Sequence, residues 1–523
     1  MEPSSHDSTS DKMSDRVSAR DRVEQRYKEL VEEQAQLDDP VFVSGHELAK
    51  IDSNLVFLDG EEHPRAWPVR KKAITTTMVA AFCFLPPFAS TIFAPSINLI
   101  MQDMGITDSA LGNLQVSIFM IGFALGPLFL SPLSEVYGRS VVVNLSNLAF
   151  AAFSLGGGFA HTPAQLAVIR LIEGVFGSSA IAVVGGILTD LWELEARPKV
   201  SGLVMLGPVL GPILGPVCGG WMSEQASWRW TLWIPAIATA VLCAVSIIFL
   251  NESYGPRVLQ AKLLREKKSR PESELYTVLD LARPTGPDRS MITQFIRPIL
   301  FLLVDPALFI GSLLYSVPFG VMYLIIVTYV DVFGAYYHQS AGLVGTDFLA
   351  LGAGMLIGTI GTVKVAEHVY KTGVSQGRKY TPESRQVYYL VGSFFGAVVS
   401  AAGLFMYGFS AKRTSLAVPL VGSAIFAAGV TSVMVSLQLF AVDGFQFSAS
   451  TFGAMSFLRC IFAGVFPLFG GSLFNALGVD WGTALLAFIV LGIGLPFGLI
   501  LYIFGGRLRA LGARNIAKIE KTN

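Results

Sequence analysis

The chain has 523 residues, 52% of them hydrophobic, with a mean hydropathy of +0.56. Charged residues make up 15%, against about 25% in soluble globular proteins, and a soluble fold of this size has no way to cover so much apolar surface. Lipid must supply part of the solvent, and a formal net charge of +0 leaves the distribution of charge as the informative quantity.

Residues 1–71 are polar and read as a largely disordered cytosolic tail, with Val17, Val23, Tyr27, Leu30 and Leu37 near helical spacing as a short amphipathic stretch. The first apolar run starts near Ala73. That is too far in for a cleavable signal, so the first span is expected to act as its own insertion signal. Spans of about 20 apolar residues cross the hydrocarbon. They are predicted near 74–96, 112–132, 141–160, 165–189, 200–222 and 229–250 as one bundle (72–250). A basic cytosolic loop follows at 251–298. A second bundle (299–504) has spans near 302–330, 342–364, 387–409, 416–440, 450–474 and 482–504, and a short basic tail covers 505–523. The runs are continuously apolar, so they are helices rather than barrel strands. The expected fold class is an all-α polytopic membrane protein with 12 transmembrane helices in two six-helix bundles.

Positive charge sets the orientation. With both termini inside, the inner segments hold Arg70, Lys71 and Lys72, then Arg139, then Arg197 and Lys199, the central loop, Lys371, Arg378, Lys379 and Arg385, and finally Arg507, Arg509 and Arg514; Lys412 and Arg413 are the exception outside. The triplet Asn251-Glu252-Ser253 then lies inside and is expected to stay unglycosylated. A mass shift removed by glycosidase would overturn the topology.

Cys83, Cys218, Cys243 and Cys460 sit in apolar runs and read as small buried hydrophobes, with no spacing for a metal site or a disulfide framework. No Ser/His/Asp constellation, phosphate-binding GxxxxGK[S/T] loop or cofactor loop is present, and there are six His. An enzyme is therefore disfavoured, and twelve spans in two halves fit poorly with a seven-helix receptor. No cofactor and no nucleic-acid partner is expected; the expected partners are a small-molecule substrate, protons and the bilayer, with the chain monomeric.

Between the second and third spans the chain reads Ser131-Pro132-Leu133-Ser134-Glu135-Val136-Tyr137-Gly138-Arg139-Ser140, with Gly126-Pro127-Leu128 upstream. A carboxylate at a helix end can sit near an Arg or a helix N-terminus and hold two bundles together in one state; the plainer alternative is a solvated ion pair of little worth. In the fourth span Arg170 and Glu173 lie three apart on one helical face, followed by Gly174. A mid-bilayer charge costs roughly 2.5–3.5 kcal/mol on insertion scales and so faces a partner or a wet cavity. Burial favours a protonated carboxylate and a neighbouring guanidinium the ionised one. Such a pair can bind a proton reversibly, or it can be a static pair that fixes packing. The fifth span carries Gly207-Pro208, Gly211-Pro212, Gly215-Pro216 and Gly219-Gly220. Glycines four apart make a face that another helix can approach closely, and the prolines free backbone groups and allow bending. Trp228-Arg229-Trp230-Thr231 opens the sixth span, where the Trp residues can anchor the interface, and Asn251-Glu252-Ser253-Tyr254 closes it. In the second half Arg459 precedes Phe466-Pro467-Leu468-Phe469, and Asp347 and Gln438 are further polar residues in apolar runs.

Together these motifs resemble the major facilitator superfamily, and within it the fungal twelve-span drug:proton antiporters, over roughly residues 72–505. Ser131 stands where Gly is usual, and Ser140 where a second basic residue is usual. The resemblance implies alternating access between the two bundles, a conformational lock at Glu135, Gly138 and Arg139, proton coupling through Arg170 with Glu173, and, from the glycine–proline span, export rather than import. Asn113, Gln115, Ser117, Tyr315, Tyr323, Gln438 and Arg459 are candidate cavity-lining residues, suited to an amphipathic drug, toxin or secondary metabolite. A proton-coupled uptake symporter for a nutrient or organic anion would share the fold. The resemblance implies the plasma membrane, with a vacuolar or vesicular membrane as the alternative.

Overall fold

The computed structural model describes residues 21–27, 48, 50–193, 196–271, 274–277, 279–280, 291–375, 382–444 and 448–522. Val17, Leu30 and Leu37 of the tail lie outside them, as do 281–290 of the central loop and the basic Arg378 and Lys379. The first half contains α1 (Val69–Thr91), the short α2 (Ile97–Met104), α3 (Ser109–Tyr137), α4 (Arg139–Gly157), α5 (Pro163–Gly177), α6 (Ser179–Leu191), α7 (Arg197–Gln225) and α8 (Trp230–Phe249). The loop contributes α9 (Gly255–Ser269) and α10 (Met291–Val304). The second half follows with α11 (Pro306–Tyr337), α12 (Ala341–Ser375), α13 (Pro382–Ser410), α14 (Ala417–Gly444) and α15 (Ser448–Thr522).

Among the described residues, eleven helical stretches are long and apolar enough to cross a membrane, α5 and α6 forming one of them. The last, Gly453–Ile516, is divided at Gly478 (φ 73°, ψ 169°). A left-handed φ is open to Gly at no steric cost. Beyond the break the chain turns back, because Gly482 lies against Phe474. That stretch therefore supplies two arms, and the chain has the twelve expected. Their outer faces are apolar, with Leu145 63%, Ile248 73% and Phe395 64% exposed, which only a lipid solvent tolerates. Cys218 is exposed on this surface, unlike the other three cysteines; it is a correction to the expected burial. Trp228 is the reverse case. It is buried, donates from Nε1 to Asp103 Oδ2 at 3.1 Å and packs edge-on against Phe93, so it is a packing residue, while Trp230 is exposed.

α11 is the central element of the second half, with every residue from Leu314 to Val330 buried. The polar and glycine contacts between the halves gather at the end of the bundle where α1 ends and α3 begins, opposite the chain termini. There Asn113 Nδ2 donates to the Pro467 carbonyl at 3.0 Å, Asn98 Nδ2 to Asp331 at 3.2 Å, Trp221 Nε1 to Thr346 at 3.1 Å, and the Gly342 amide to Glu224 at 2.8 Å. Gly464 packs on Ile121, and Gly220 on Ala341 and Gly345. The halves are closed together at this end.

The segment read as disordered tail is partly folded. Leu55–Val56 (β1) pairs in parallel with Tyr276–Thr277 (β2), and Val56 and Leu58 pack with Leu259 and Leu275. Lys262 Nζ donates to Glu62 Oε2 at 2.6 Å and to the Phe57 carbonyl at 2.8 Å. Burial opposes the charge of Glu62, but the hydrogen bonds from Lys262 and the Asp59 amide hold its carboxyl below the usual range. The tail and the central loop thus form one small layer over the termini end of the first half, where Arg65 Nη2 donates to the Thr189 carbonyl at 3.1 Å.

Candidate functional site

Arg170 and Glu173 sit where α1, α3 and α5 meet, and both side chains are 0% exposed. Close approach is possible because Gly122 and Gly174 face the opposite backbone; a Cβ on either would collide with the carbonyl of Leu171 or of Phe119. Arg170 Nη1 donates to Glu173 Oε2 at 3.0 Å and to the Ala89 carbonyl at 3.2 Å; Nε donates to the Gln115 carbonyl at 3.3 Å and Nη2 to the Ser90 carbonyl at 3.4 Å. The guanidinium lies 4.7 Å from the Phe119 ring centroid and 4.9 Å from that of Phe93. Glu173 Oε1 and Gln115 Oε1 are buried without a hydrogen-bond partner. Four acceptors meet the five N–H groups of the guanidinium, whereas one of the two carboxylate oxygens has no donor, so the cation is the better satisfied member of the pair.

Ser90 carries this core to the other half. Its carbonyl takes the Arg170 bond, and its hydroxyl shares a hydrogen bond of 3.1 Å with Tyr323 on α11. Further along α11, Phe319 packs on Tyr323 at 5.1 Å, and the Tyr315 hydroxyl accepts from Gln438 Nε2 at 2.8 Å. Positions 315, 319 and 323 are four apart and so lie on one helical face. Arg459 of α15 covers that face, 4.5 Å from the Phe319 centroid and 5.6 Å from that of Tyr315. Tyr315, Tyr323, Gln438 and Arg459 therefore come together. Gln115 lies on the Arg170 side, and Asn113 belongs to the closure between the halves, hydrogen-bonded rather than facing open space.

At the termini end Arg139 Nε donates to Asp190 Oδ2 at 2.7 Å and Nη1 to Ser134 Oγ at 3.3 Å, with the Tyr254 ring 5.0 Å from the guanidinium. Glu252 accepts from the amides of Arg139 (2.9 Å) and Ser140 (3.1 Å) and from Ser140 Oγ (3.0 Å), and so caps the N-terminus of α4. Glu135 is exposed. In this conformation the partner of Arg139 is Asp190 instead. The reason is local: Gly138 (φ 103°) breaks the helix between positions 135 and 139, so the i, i+4 relation is lost. Glu135 still acts on the cluster, since burial first, then the charges of Glu135 and Asp190, push the Tyr254 hydroxyl up against the opposing charge of Arg139.

The glycine stripe of α7 faces α1. Gly207 lies on Ala80 and Phe84, Gly211 on Pro87 and Phe88, Gly215 on Phe88 and Thr91, and Gly219 on Ile92. Pro208, Pro212 and Pro216 follow three of these glycines on the same helix. Gly220 alone of the set faces the second half.

A family model described as the Major Facilitator Superfamily matches residues 78–467. The chain belongs to the major facilitator superfamily. Among curated superfamily relatives it is 34% identical over 467 residues to the "Efflux pump vrtL" of Penicillium aethiopicum, covering 88% of this chain and 91% of that one. It is 33% identical over 464 residues to the "MFS-type transporter atr4" of Stereocaulon alpinum, covering 88% and 83%. Among solved structures it is similar to a bacterial homologue of the human lysosomal transporter Spinster, in an inward-facing and unoccupied conformation (TM-score 0.57, 13% identity, 86% of this chain and 95% of that one). It is also similar to the human organic anion transporter MFSD10 (TM-score 0.54, 15% identity, 82% and 99%). These likenesses show the fold. A superfamily member is built as a transporter rather than an enzyme, which agrees with the twelve arms and the two halves.

Sequence reasoning missed Asp190 and did not single out Glu252 as a cap. The signal was thin, since both are acids at span ends and only folding brings them 51 and 113 residues back to Arg139. Asp190→Asn is expected to weaken this end of the superfamily fold by about 1.5–3 kcal/mol, the range for a hydrogen bond to a charged group. The checks are a lower melting temperature of the purified protein and a several-fold drop in transport.

Proposed function

We propose that this chain exports a small amphipathic organic molecule in exchange for protons, from the plasma membrane, with both termini in the cytosol and the protein monomeric. The single observation that carries the reading is the Arg170–Glu173 pair, sealed from solvent and one residue from the Ser90–Tyr323 bridge between the halves. Protonation of Glu173 removes the charge that balances Arg170. The guanidinium then loses its strongest acceptor, and its hold on the Ala89 and Ser90 carbonyls of α1 changes with it. Ser90 is thereby the link through which a proton biases one arrangement of the halves over another. The names of the efflux-pump relatives support the export direction, as does the glycine–proline span.

The test has two steps. Extracellular metabolites and drug tolerance are compared between overexpressing and deletion cells to find a transported compound. That compound is then followed in purified-protein vesicles under an imposed pH gradient. Flux opposite to the proton flow is expected; flux in the same direction would make the chain an uptake symporter.

A further inference from the structure

Two arginines flank the junction between the halves, and among the described residues only Arg170 has a carboxylate partner. Tyr323 shares a hydrogen bond with Ser90, whose carbonyl accepts from Arg170, and packs on Phe319, whose ring faces Arg459. Arg170 has Glu173. Among the described residues no carboxylate pairs with Arg459; its Nη2 reaches only Ser456 Oγ at 3.3 Å and Cys460 Sγ at 3.8 Å, and its Nε is buried with no acceptor at all. A hydroxyl and a thiol are weak company for a guanidinium inside a membrane protein, and two ring faces attract the cation without neutralising it.

The surroundings supply donors rather than acceptors. Gln438 gives its amide hydrogen to the Tyr315 oxygen, so the hydroxyl hydrogen of Tyr315 is directed elsewhere. Arg459 itself is only partly buried, although its Nε is enclosed. Phe319 and Tyr315 form apolar walls beside the guanidinium. A planar fork of N–H groups, a phenolic O–H and aromatic walls are complementary to a carboxylate or phenolate attached to an aromatic or otherwise apolar body.

We propose that Arg459, with Tyr315 and Phe319, is the subsite that recognises the transported molecule, and that this molecule is an organic anion. The bound anion supplies the counter-charge that none of the described carboxylates gives Arg459. The proposal rests on the transport reading above for its route, but binding needs no gradient, so the two can fail separately. A chain that holds the anion and moves it only with protons would sink the export reading alone.

The experiment uses the purified full chain in detergent and three aromatic carboxylates of rising size: benzoate, 1-naphthoate and pyrene-1-carboxylate. Each is compared with its uncharged primary amide by dose-dependent thermal stabilisation. At least one acid is expected to bind roughly tenfold or more tightly than its amide, the scale of one charge-assisted hydrogen bond. Arg459→Gln is expected to erase that preference, Arg459→Lys to retain part of it, and Tyr315→Phe to reduce it severalfold. No acid preferred over its amide on the unaltered chain overturns the proposal, whether or not the variants fold. A preference that persists in folded Arg459→Gln overturns it equally.

Discussion

Arg170→Gln is expected to abolish proton-driven flux and to lower the stability of the protein by about 3–5 kcal/mol, the cost of breaking a fully buried ion pair from one side. The substitution leaves the Glu173 carboxylate enclosed with no cation, and it withdraws donors from three backbone carbonyls, those of Ala89, Ser90 and Gln115. Glu173→Gln is milder for the fold, because the guanidinium keeps those three acceptors. Its effect falls on coupling: flux is expected to lose its response to an imposed pH gradient by at least about tenfold, while exchange of substrate for substrate continues. The double variant removes both charges and is expected to melt above Arg170→Gln while staying uncoupled. The measurements are thermal melting and vesicle flux with and without a pH step. If both single variants keep gradient-driven flux, the pair is only a packing element.

Gly220→Val is expected to drive the halves apart at the end opposite the termini. A Cβ at Gly220 would collide with the Ala341 carbonyl and lie 3.1 Å from Gly345 Cα; one at Gly345 would lie 2.5 Å from the Pro216 carbonyl. These neighbours are backbone, so no side chain can swing away, and overpacking of this kind costs about 1–3 kcal/mol or more. That cost falls only on the arrangement in which α7 and α12 are closed together, so the population shifts by about tenfold toward the open one. Gly202, on the same helix, has nothing within 4 Å of its would-be Cβ, and Gly202→Val is the matched control. A cysteine at Ser117, which is fully buried beside Gly464, reports the change in a background where the exposed Cys218 is replaced by Ser. Labelling by a membrane-impermeant maleimide is expected to rise with Gly220→Val and to stay flat with Gly202→Val. Unchanged labelling in a folded Gly220→Val protein would mean that the contact does not govern closure.

Which parts were readable in advance follows from distance along the chain. The twelve apolar arms are visible because lipid imposes a length and a composition on each segment by itself. The Arg170–Glu173 pair is visible for a similar reason, since helical geometry alone places residues three apart on one face. The Gly207–Gly219 stripe announces a close helix contact without naming the helix; folding chooses α1.

Elsewhere local reading stops. The positive φ of Gly138 hands Arg139 to Asp190 and Glu252 in place of Glu135. The strand at 55–56 is only two residues long, too short to carry an alternating pattern, and its partner at 276–277 lies more than two hundred positions away. The Ser90–Tyr323 bridge joins residues 233 apart, and the lack of a carboxylate at Arg459 among the described residues depends on how α11, α14 and α15 pack. Sequence by itself determined the medium, the number of crossings and the short-range ion pair, because each depends on a few consecutive residues. Only the tertiary structure decided which charges are matched and which end is shut, because those depend on which helices pack against each other.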